Sequence, residues 1–402
     1  MKLKKSCQIL LIAAATAVSS YAEISENNTH DKDSHVILGV AADGKRDNGQ
    51  PVESGSLDVG EVIGSMRKVA EWQLANPAKK INSSDWAYAP FWNGLWELGR
   101  IKGQEAYADR VREAGAAATW KPAHTLHPAN NHAVVQTWLD IGMRDKEEAI
   151  LKPTREALDA FMAGWDMEPG PLDFIKKGSK RWTWCDALYM SPPAFARLAA
   201  ATGEEKYLAF MDEKWWQLSD YLYDQEEHLF FRDQTFFKKR EKNGQKVFWC
   251  RGNGWVAGGL VRVLQVLPKE NPRRARFEKQ FREMCARLAA LQQPDGLWRA
   301  GLLDQQAYPT PETSGSGFIL YALAYGVNAG LLERERFEPA VRKGWKELAG
   351  CLAPDGRLRY VQPVGDAPRT FDPESCLPYG VGAFLLAGSE VCRLMNTTEK
   401  ER

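Results

Sequence analysis

From Asp58 onward the chain alternates two kinds of helical pattern. One kind is apolar or small at nearly every position, whereas the other confines its apolar residues to one stripe with a 3.6-residue period. The run Asp85-Trp86-Ala87-Tyr88-Ala89-Pro90-Phe91-Trp92-Asn93-Gly94-Leu95-Trp96 belongs to the first kind. It leads through Gly103 into the amphipathic Glu105-Ala106-Tyr107-Ala108-Asp109-Arg110-Val111. Phe195 to Ala201, followed by Thr202-Gly203-Glu204-Glu205-Lys206-Tyr207-Leu208, repeats the arrangement. In both pairs a glycine is expected to close the first helix as a C-cap, and an acidic first turn to open the second.

Polar or small-residue interruptions mark the apolar helices at Trp92, Asn130-Asn131-His132, Asp186, Gly252-Asn253-Gly254, Gly315-Ser316-Gly317 and Gly380-Val381-Gly382. They recur every 40 to 65 residues or so, roughly one helix hairpin and a variable loop. A helix that is apolar all round tolerates no water and an amphipathic one requires it, so the two sets must form concentric layers. The expected fold is therefore all-α, an (α/α)6 barrel of six helix hairpins spanning residues 58–395. The segments Gly296-Leu297-Trp298-Arg299 and Arg357-Leu358-Arg359-Tyr360 read as small loops or hairpins at one rim. In such a barrel the starts of the inner helices gather at one mouth, where small residues let backbones approach closely. Asn131, His132, Asp186, Trp249, Arg251, Trp255 and Ser314 are expected to share a pocket there.

Ahead of this pattern, Lys2 to Lys5, the apolar run Ile9 to Val18 and the small residues Ser20 and Ala22 read as a secretory signal peptide over residues 1–22. Its apolar run is too short to span a bilayer. Residues 23–57 are polar and without period, a tail. The expectation is a soluble exported protein, periplasmic if the source is a bacterium with two membranes. About 345 residues remain, enough to bury a large core. The net charge of +1 suggests neither nucleic acid nor an acidic membrane as partner. Of seven cysteines, Cys7 lies in the leader. The six others form no C-x-x-C pair, and Cys185 and Cys250 read as buried free thiols. Fifteen tryptophans fit either a sugar platform or the core of a large helical protein.

The stretch Arg181-Trp182-Thr183-Trp184-Cys185-Asp186-Ala187-Leu188-Tyr189-Met190-Ser191-Pro192-Pro193 sets one carboxylate among rings. With Ser191 capping a helix that starts at Pro192, Asp186 falls just ahead of it on a loop or short turn. Loss of hydration there raises the carboxyl pKa and favours a general acid, while the competing role is a turn cap. Arg251, between Trp249 and Trp255, is built to grip a carboxylate; the alternative is pairing with a helix C-terminus or core Asp. Arg232 can bind an anion or simply pair with Asp233. Asn131 can hold hydroxyls, His132 reads better as a structural histidine, and Glu312 as a helix cap. Neither GxxxxGK[ST], HExxH nor Gly-x-Ser-x-Gly occurs.

Taken together, Thr183-Trp184-Cys185-Asp186-Ala187-Leu188-Tyr189-Met190, Phe248-Trp249-Cys250-Arg251-Gly252-Asn253-Gly254-Trp255 and Glu312-Thr313-Ser314-Gly315 resemble glycoside hydrolase family 105. These are the unsaturated rhamnogalacturonyl hydrolases, related to the family 88 unsaturated glucuronyl hydrolases. The resemblance runs from about Asp58 to Val391 and implies the same barrel, without metal or organic cofactor. It also implies a substrate with a 4,5-unsaturated uronate at the non-reducing end of a pectin-derived, rhamnogalacturonan-type oligosaccharide. A carboxylic acid protonates C4, water adds at C5, and the hemiketal opens to release the uronate. Asp186 matches that acid, Trp184, Trp249 and Trp255 the site aromatics, and Arg251 the site arginine. Two positions depart from the family: Asn131 stands where a second Asp is expected, and Arg232 where some members have His. Both changes make the pocket more positive and suit a more anionic substrate. Rival readings are an unsaturated glucuronyl hydrolase acting on other lyase products and a non-catalytic oligosaccharide-binding protein. An epimerase would need histidine bases, and the chain has six histidines in all.

Overall fold

The computed structural model describes residues 57–125, 127–165, 172–174 and 181–401, with side chains of the last helix up to residue 396. The predicted leader, and the tail as far as residue 56, lie outside them.

Twelve long helices are found among these residues, and they alternate in chain order between an outer and an inner layer. The outer helices are α1 (Val59–Ala75), α3 (Glu105–Ala117), α5 (Glu148–Ala163), α7 (Glu205–Leu222), α9 (Arg274–Ala290) and α11 (Arg334–Gly350). The inner ones are α2 (Ala89–Gly99), α4 (Val135–Asp145), α6 (Pro192–Thr202), α8 (Cys250–Leu264), α10 (Thr313–Asn328) and α12 (Pro378–Glu401). Burial separates the layers as the sequence pattern predicts. Every residue of α2 and of α8 is buried, whereas α9 buries a stripe through Phe277, Phe281, Met284, Cys285 and Leu288. The inner helices pack in sequence order, and α12 returns to α2 to close the ring. Each inner helix backs onto the outer helix that follows it, and α12 onto α1.

Ring closure requires backbones to nearly touch. A Cβ on Gly382 of α12 would lie 2.1 Å from the carbonyl carbon of Pro90 and 2.3 Å from the Phe91 nitrogen of α2. From the other side, a Cβ on Gly94 would lie 2.8 Å from the Gly382 carbonyl oxygen. Deeper in the barrel Asp140 of α4 pairs with Arg197 of α6 at 2.7 Å and Arg262 of α8 at 2.8 Å. Removing Asp140 would leave two buried guanidiniums without their counter-charge.

The hairpin grammar holds with one change. Gly203 adopts φ 71° and its N–H closes α6 on the Ala199 carbonyl, and Glu105 and Glu205 occupy the first turns of α3 and α7. Gly103, in contrast, is not a C-cap. α2 ends at Gly99 with Arg100 as its cap, and Gly103 (φ 84°) turns the loop beyond. Two rim segments pair as short bridges, Arg299 with Pro311 and Leu352 with Leu358, and Leu229–Phe230 pairs with Tyr223–Asp224.

Gly382→Ala is expected to destabilise the barrel by about 3 kcal/mol, because backbone rather than a flexible side chain must give way. Gly64→Ala in α1, where nothing lies within 4 Å of the added methyl, should stabilise by roughly 0.5–1 kcal/mol. Urea midpoints of the two variants check both signs.

Candidate active site

Asp186 sits at the N-cap position of the short helix Ala187–Met190, which feeds directly into α6. Its carboxylate makes no capping bond. The expected cap at Ser191 is also absent: Ser191 adopts helical dihedrals and its hydroxyl meets His132 Nδ1 at 2.7 Å instead. Pro192 starts α6 without that help, its ring already holding a helical φ.

The loop that carries Asp186 is fixed by its neighbours. Cys185 N–H donates to the Arg232 carbonyl at 2.8 Å, which brings the segment after the Leu229–Phe230 strand alongside. A Cβ on Gly252 would lie 3.1 Å from Cys185 Sγ, so this glycine of α8 is what lets the thiol seat there. The thiol donates a weak bond to Asp186 Oδ2 at 3.4 Å. Burial pushes Cys185 well above the ordinary thiol range, so it stays protonated and serves as a donor.

Both arginines predicted for the site are close enough to lower the Asp186 pKa, and both are engaged elsewhere. Arg232 pairs with Asp233 and lies 4.0 Å over the Phe174 ring. Arg251 is buried and donates from its two terminal nitrogens to the carbonyls of Gln362 (2.6 Å) and Pro363 (2.9 Å). Its guanidinium lies 4.4 Å over Trp249 and 4.9 Å over Tyr379. The sequence suggested an open grip on a carboxylate; the geometry shows much of that donor set holding a rim strap in place. Among the described residues no cationic nitrogen lies within 4.0 Å of the Asp186 carboxylate. Burial, the largest influence, raises its pKa, and the two arginines only partly offset that.

The three tryptophans divide. Trp184 packs at the site against the rings of His127 (5.3 Å) and Phe174 (5.8 Å). Trp249 is held by an Nε1–H bond of 2.8 Å to the side-chain oxygen of Gln362. Trp255 is fully buried among Tyr189, Phe318, Tyr379 and Trp86, so it underlies the site rather than offering a face to a sugar, a correction to the platform expected of it. Its position about one and a half turns into a helix buried along its whole length is the reason.

Asn131 ends the short helix Pro128–Asn131 instead of starting a long one, and its side-chain oxygen accepts from Thr125 N–H at 2.6 Å. His132 packs edge-on against the rings of Phe161 and Phe195, and burial lowers its pKa to about 3. It is a structural histidine, and it does not join the pocket. Ser314 does not face a ligand either: with the N–H groups of Ser314, Gly315 and Gln362 it is bound by Glu312, the buried cap of α10. Cys185 and Cys250 are free and buried. Sequence reasoning missed His127, Phe174, Gln362 and Tyr379. Of these, only Tyr379 carried a visible signal, its place next to the Gly380-Val381-Gly382 interruption. Among the described residues no three His, Cys, Asp or Glu side chains converge as a metal site would require.

Chemically, the arrangement offers one buried carboxylic acid of raised pKa, aromatic surfaces and two nearby guanidiniums. It can donate a proton and then recover it from water, with positive charge at hand for an anionic substrate.

Comparison with known proteins bears on the family and the fold. The model of the family described as Glycosyl Hydrolase Family 88 matches residues 61–395. A protein of Formosa agariphila named unsaturated 3S-rhamnoglycuronyl hydrolase is 38% identical over 347 residues, covering 84% of this chain and 92% of its own. Another of that name, from Alteromonas sp. (strain LOR), is 33% identical over 416 residues, covering 97% and 98%. The solved structure of a family 88 glycosyl hydrolase from Bacteroides vulgatus superposes with a TM-score of 0.75 at 28% identity, over 84% of this chain and 99% of that one.

Replacing Arg232 by Gln should raise the Asp186 pKa further, since a charge that lowers it is lost and Asp233 is left without its ion-pair partner beside the site. Carbon-13 titration of the Asp186 carboxyl reads this directly. An unchanged or lowered value would contradict the electrostatic description.

Proposed function

Because the chain belongs to glycosyl hydrolase family 88, relatives of the family 105 enzymes that its motifs resemble, we propose that Asp186 hydrates the terminal unsaturated uronate of a rhamnose-containing oligosaccharide. The protein is a glycosidase acting on oligosaccharides that end in such a uronate. The observation that carries the assignment of Asp186 is its state: a buried carboxyl of raised pKa, without an ion-pair partner among the described residues, beside two arginines. In the C4=C5 vinyl ether, C4 is the electron-rich carbon. The neutral Asp186 acid protonates C4, leaving an oxocarbenium ion at C5. The carboxylate so formed takes a proton from water as the oxygen adds to C5. The C5–O5 bond of this hemiketal then breaks to give a C5 ketone and a hemiacetal at C1, and the hemiacetal collapses to an aldehyde as its C1–O bond to the next sugar breaks, releasing the uronate and freeing that sugar's hydroxyl with the proton from the hemiacetal. One group thus serves as acid and base, and the paired carboxylates of ordinary glycosidases are not required. Arg232 supplies positive charge for the uronate carboxylate, which is drawn to a guanidinium without needing Asp186 to ionise.

The rhamnose linkage is supported by the names of the two relatives at 33% and 38% identity. The source polymer in the primary reading is a pectic rhamnogalacturonan. A second reading, in which the rhamnose bears a 3-sulfate, is favoured by those same names and by the two arginines near Asp186. The leader at residues 1–22 supports export to the periplasm. Among the described residues no helix is long and apolar enough to cross a membrane.

Incubation with lyase-generated fragments, followed by ultraviolet absorbance of the conjugated enol ether, tests the reaction, and loss of absorbance is expected. Persistence of the band across pectic and sulfated fragments alike would overturn the proposal. Asp186→Asn should lower kcat by at least about a thousandfold with the thermal midpoint nearly unchanged. In the wild type kcat should fall as pH rises through the elevated Asp186 pKa, because only the acid form can protonate carbon.

A further inference from the structure

His127 belongs to none of the motifs that identify the site, yet its ring stands against Trp184, two residues from Asp186. It lies 5.3 Å from Trp184 edge-on and 5.8 Å from Phe174, nearly parallel at 18°. Phe174 in turn carries the Arg232 guanidinium at 4.0 Å. His127, Phe174, Trp184 and Arg232 therefore form one wall beside the acid.

The backbone around His127 is fixed locally. Its extended dihedrals place it at the N-cap position of Pro128–Asn131, and its carbonyl accepts from Asn130 N–H at 2.9 Å and from the Thr125 hydroxyl at 3.2 Å. Asn131 closes the same loop by accepting from Thr125 N–H and from Ala123 N–H. The position at which the resemblance leads one to expect a second Asp is thus spent on holding this loop, four residues from the histidine. Meanwhile His127 Nδ1 is buried and has no hydrogen-bond partner among the described residues. A polar ring atom in that state is an expensive feature to retain unless something completes it. Burial and the neighbouring Arg232 charge both lower the His127 pKa, so the ring is neutral near pH 7 and keeps one acceptor nitrogen. A neutral imidazole on an aromatic wall is suited to a sugar hydroxyl rather than to a carboxylate, which Arg232 already attracts.

Resting on the hydrolase reading, we propose that His127 binds the substrate through Nδ1, hydrogen-bonding a hydroxyl of the saccharide stacked along Trp184. It is a binding residue that orients the unsaturated ring over Asp186; it moves no proton.

Three variants and one spectroscopic readout test this. His127→Phe keeps an aromatic ring and removes the nitrogen, and is expected to lower kcat/KM roughly ten- to hundredfold, chiefly through KM. His127→Gln, which can still bond a hydroxyl, should recover part of that loss. For the binding readout, Asp186→Asn protein with nitrogen-15 histidine is titrated with the lyase-generated unsaturated uronate–rhamnose disaccharide. The His127 signals, assigned by their absence in a His127→Phe, Asp186→Asn double variant, should shift on binding. If His127→Phe has wild-type KM and kcat, or if the His127 signals stay still while the disaccharide binds, the inference is overturned and the hydrolase reading stands. If the disaccharide binds and shifts His127 but wild-type protein never turns it over, the hydrolase reading fails and His127 remains a saccharide-binding residue. Should His127→Phe fail to fold, the spectroscopic result decides, with assignment taken from His127→Gln.

Discussion

A buried carboxylic acid holds its proton above the ordinary carboxylate range only if the positive charges around it are prevented from closing on it, and around Asp186 two guanidiniums are kept apart in this way. Arg232 is turned toward Asp233 and Arg251 toward the carbonyls of Gln362 and Pro363. Either guanidinium, released, could form a tight pair with Asp186 and hold it ionised. Instead both act at longer range, which moderates the effect of burial without cancelling it. The arginines remain available as field to an incoming uronate, and the Asp186 carboxyl keeps a pKa above its ordinary value.

The barrel makes such an arrangement possible because its inner helices begin at one end. Elements far apart in sequence then supply neighbouring parts: the short helix before α6 provides Asp186, α8 provides Arg251 and the Gly252 gap, and the Glu312 cap of α10 fixes the Gln362 backbone. Close approach of α2 and α12 at Gly94 and Gly382 completes the ring that holds these starts in register. The same glycines explain why the apolar helices are interrupted where they are: a side chain at these seams would push neighbouring backbones apart.

Much of this could be read from the amino-acid sequence, for identifiable reasons. Two helix classes of different polarity can be satisfied only by two layers, so the alternating pattern carried the architecture. Glu312-Thr313-Ser314-Gly315 is a local cap, and local hydrogen bonding survives any tertiary context. Asp186 stood out because indole and phenol neighbours surround it even in one dimension. What failed was direction. Nothing local tells whether Ser191 will cap its own helix or turn to His132, or whether Trp255 will face a ligand or the core. Arg251 looked like a ligand grip because its backbone-carbonyl partners lie more than a hundred residues away. His127 was invisible for the same reason: its significance comes from Phe174, Trp184 and Arg232, none of which is near it in the chain.

The most direct measurement is the fate of solvent isotopes in a turnover of the unsaturated disaccharide, run in deuterium oxide and separately in oxygen-18 water. Protonation of C4 by the Asp186 acid and addition of water at C5 predict deuterium on C4 of the released uronate and oxygen-18 on C5. Oxygen-18 on the anomeric carbon with no deuterium at C4 would mean ordinary cleavage of the glycosidic bond, and would contradict the account.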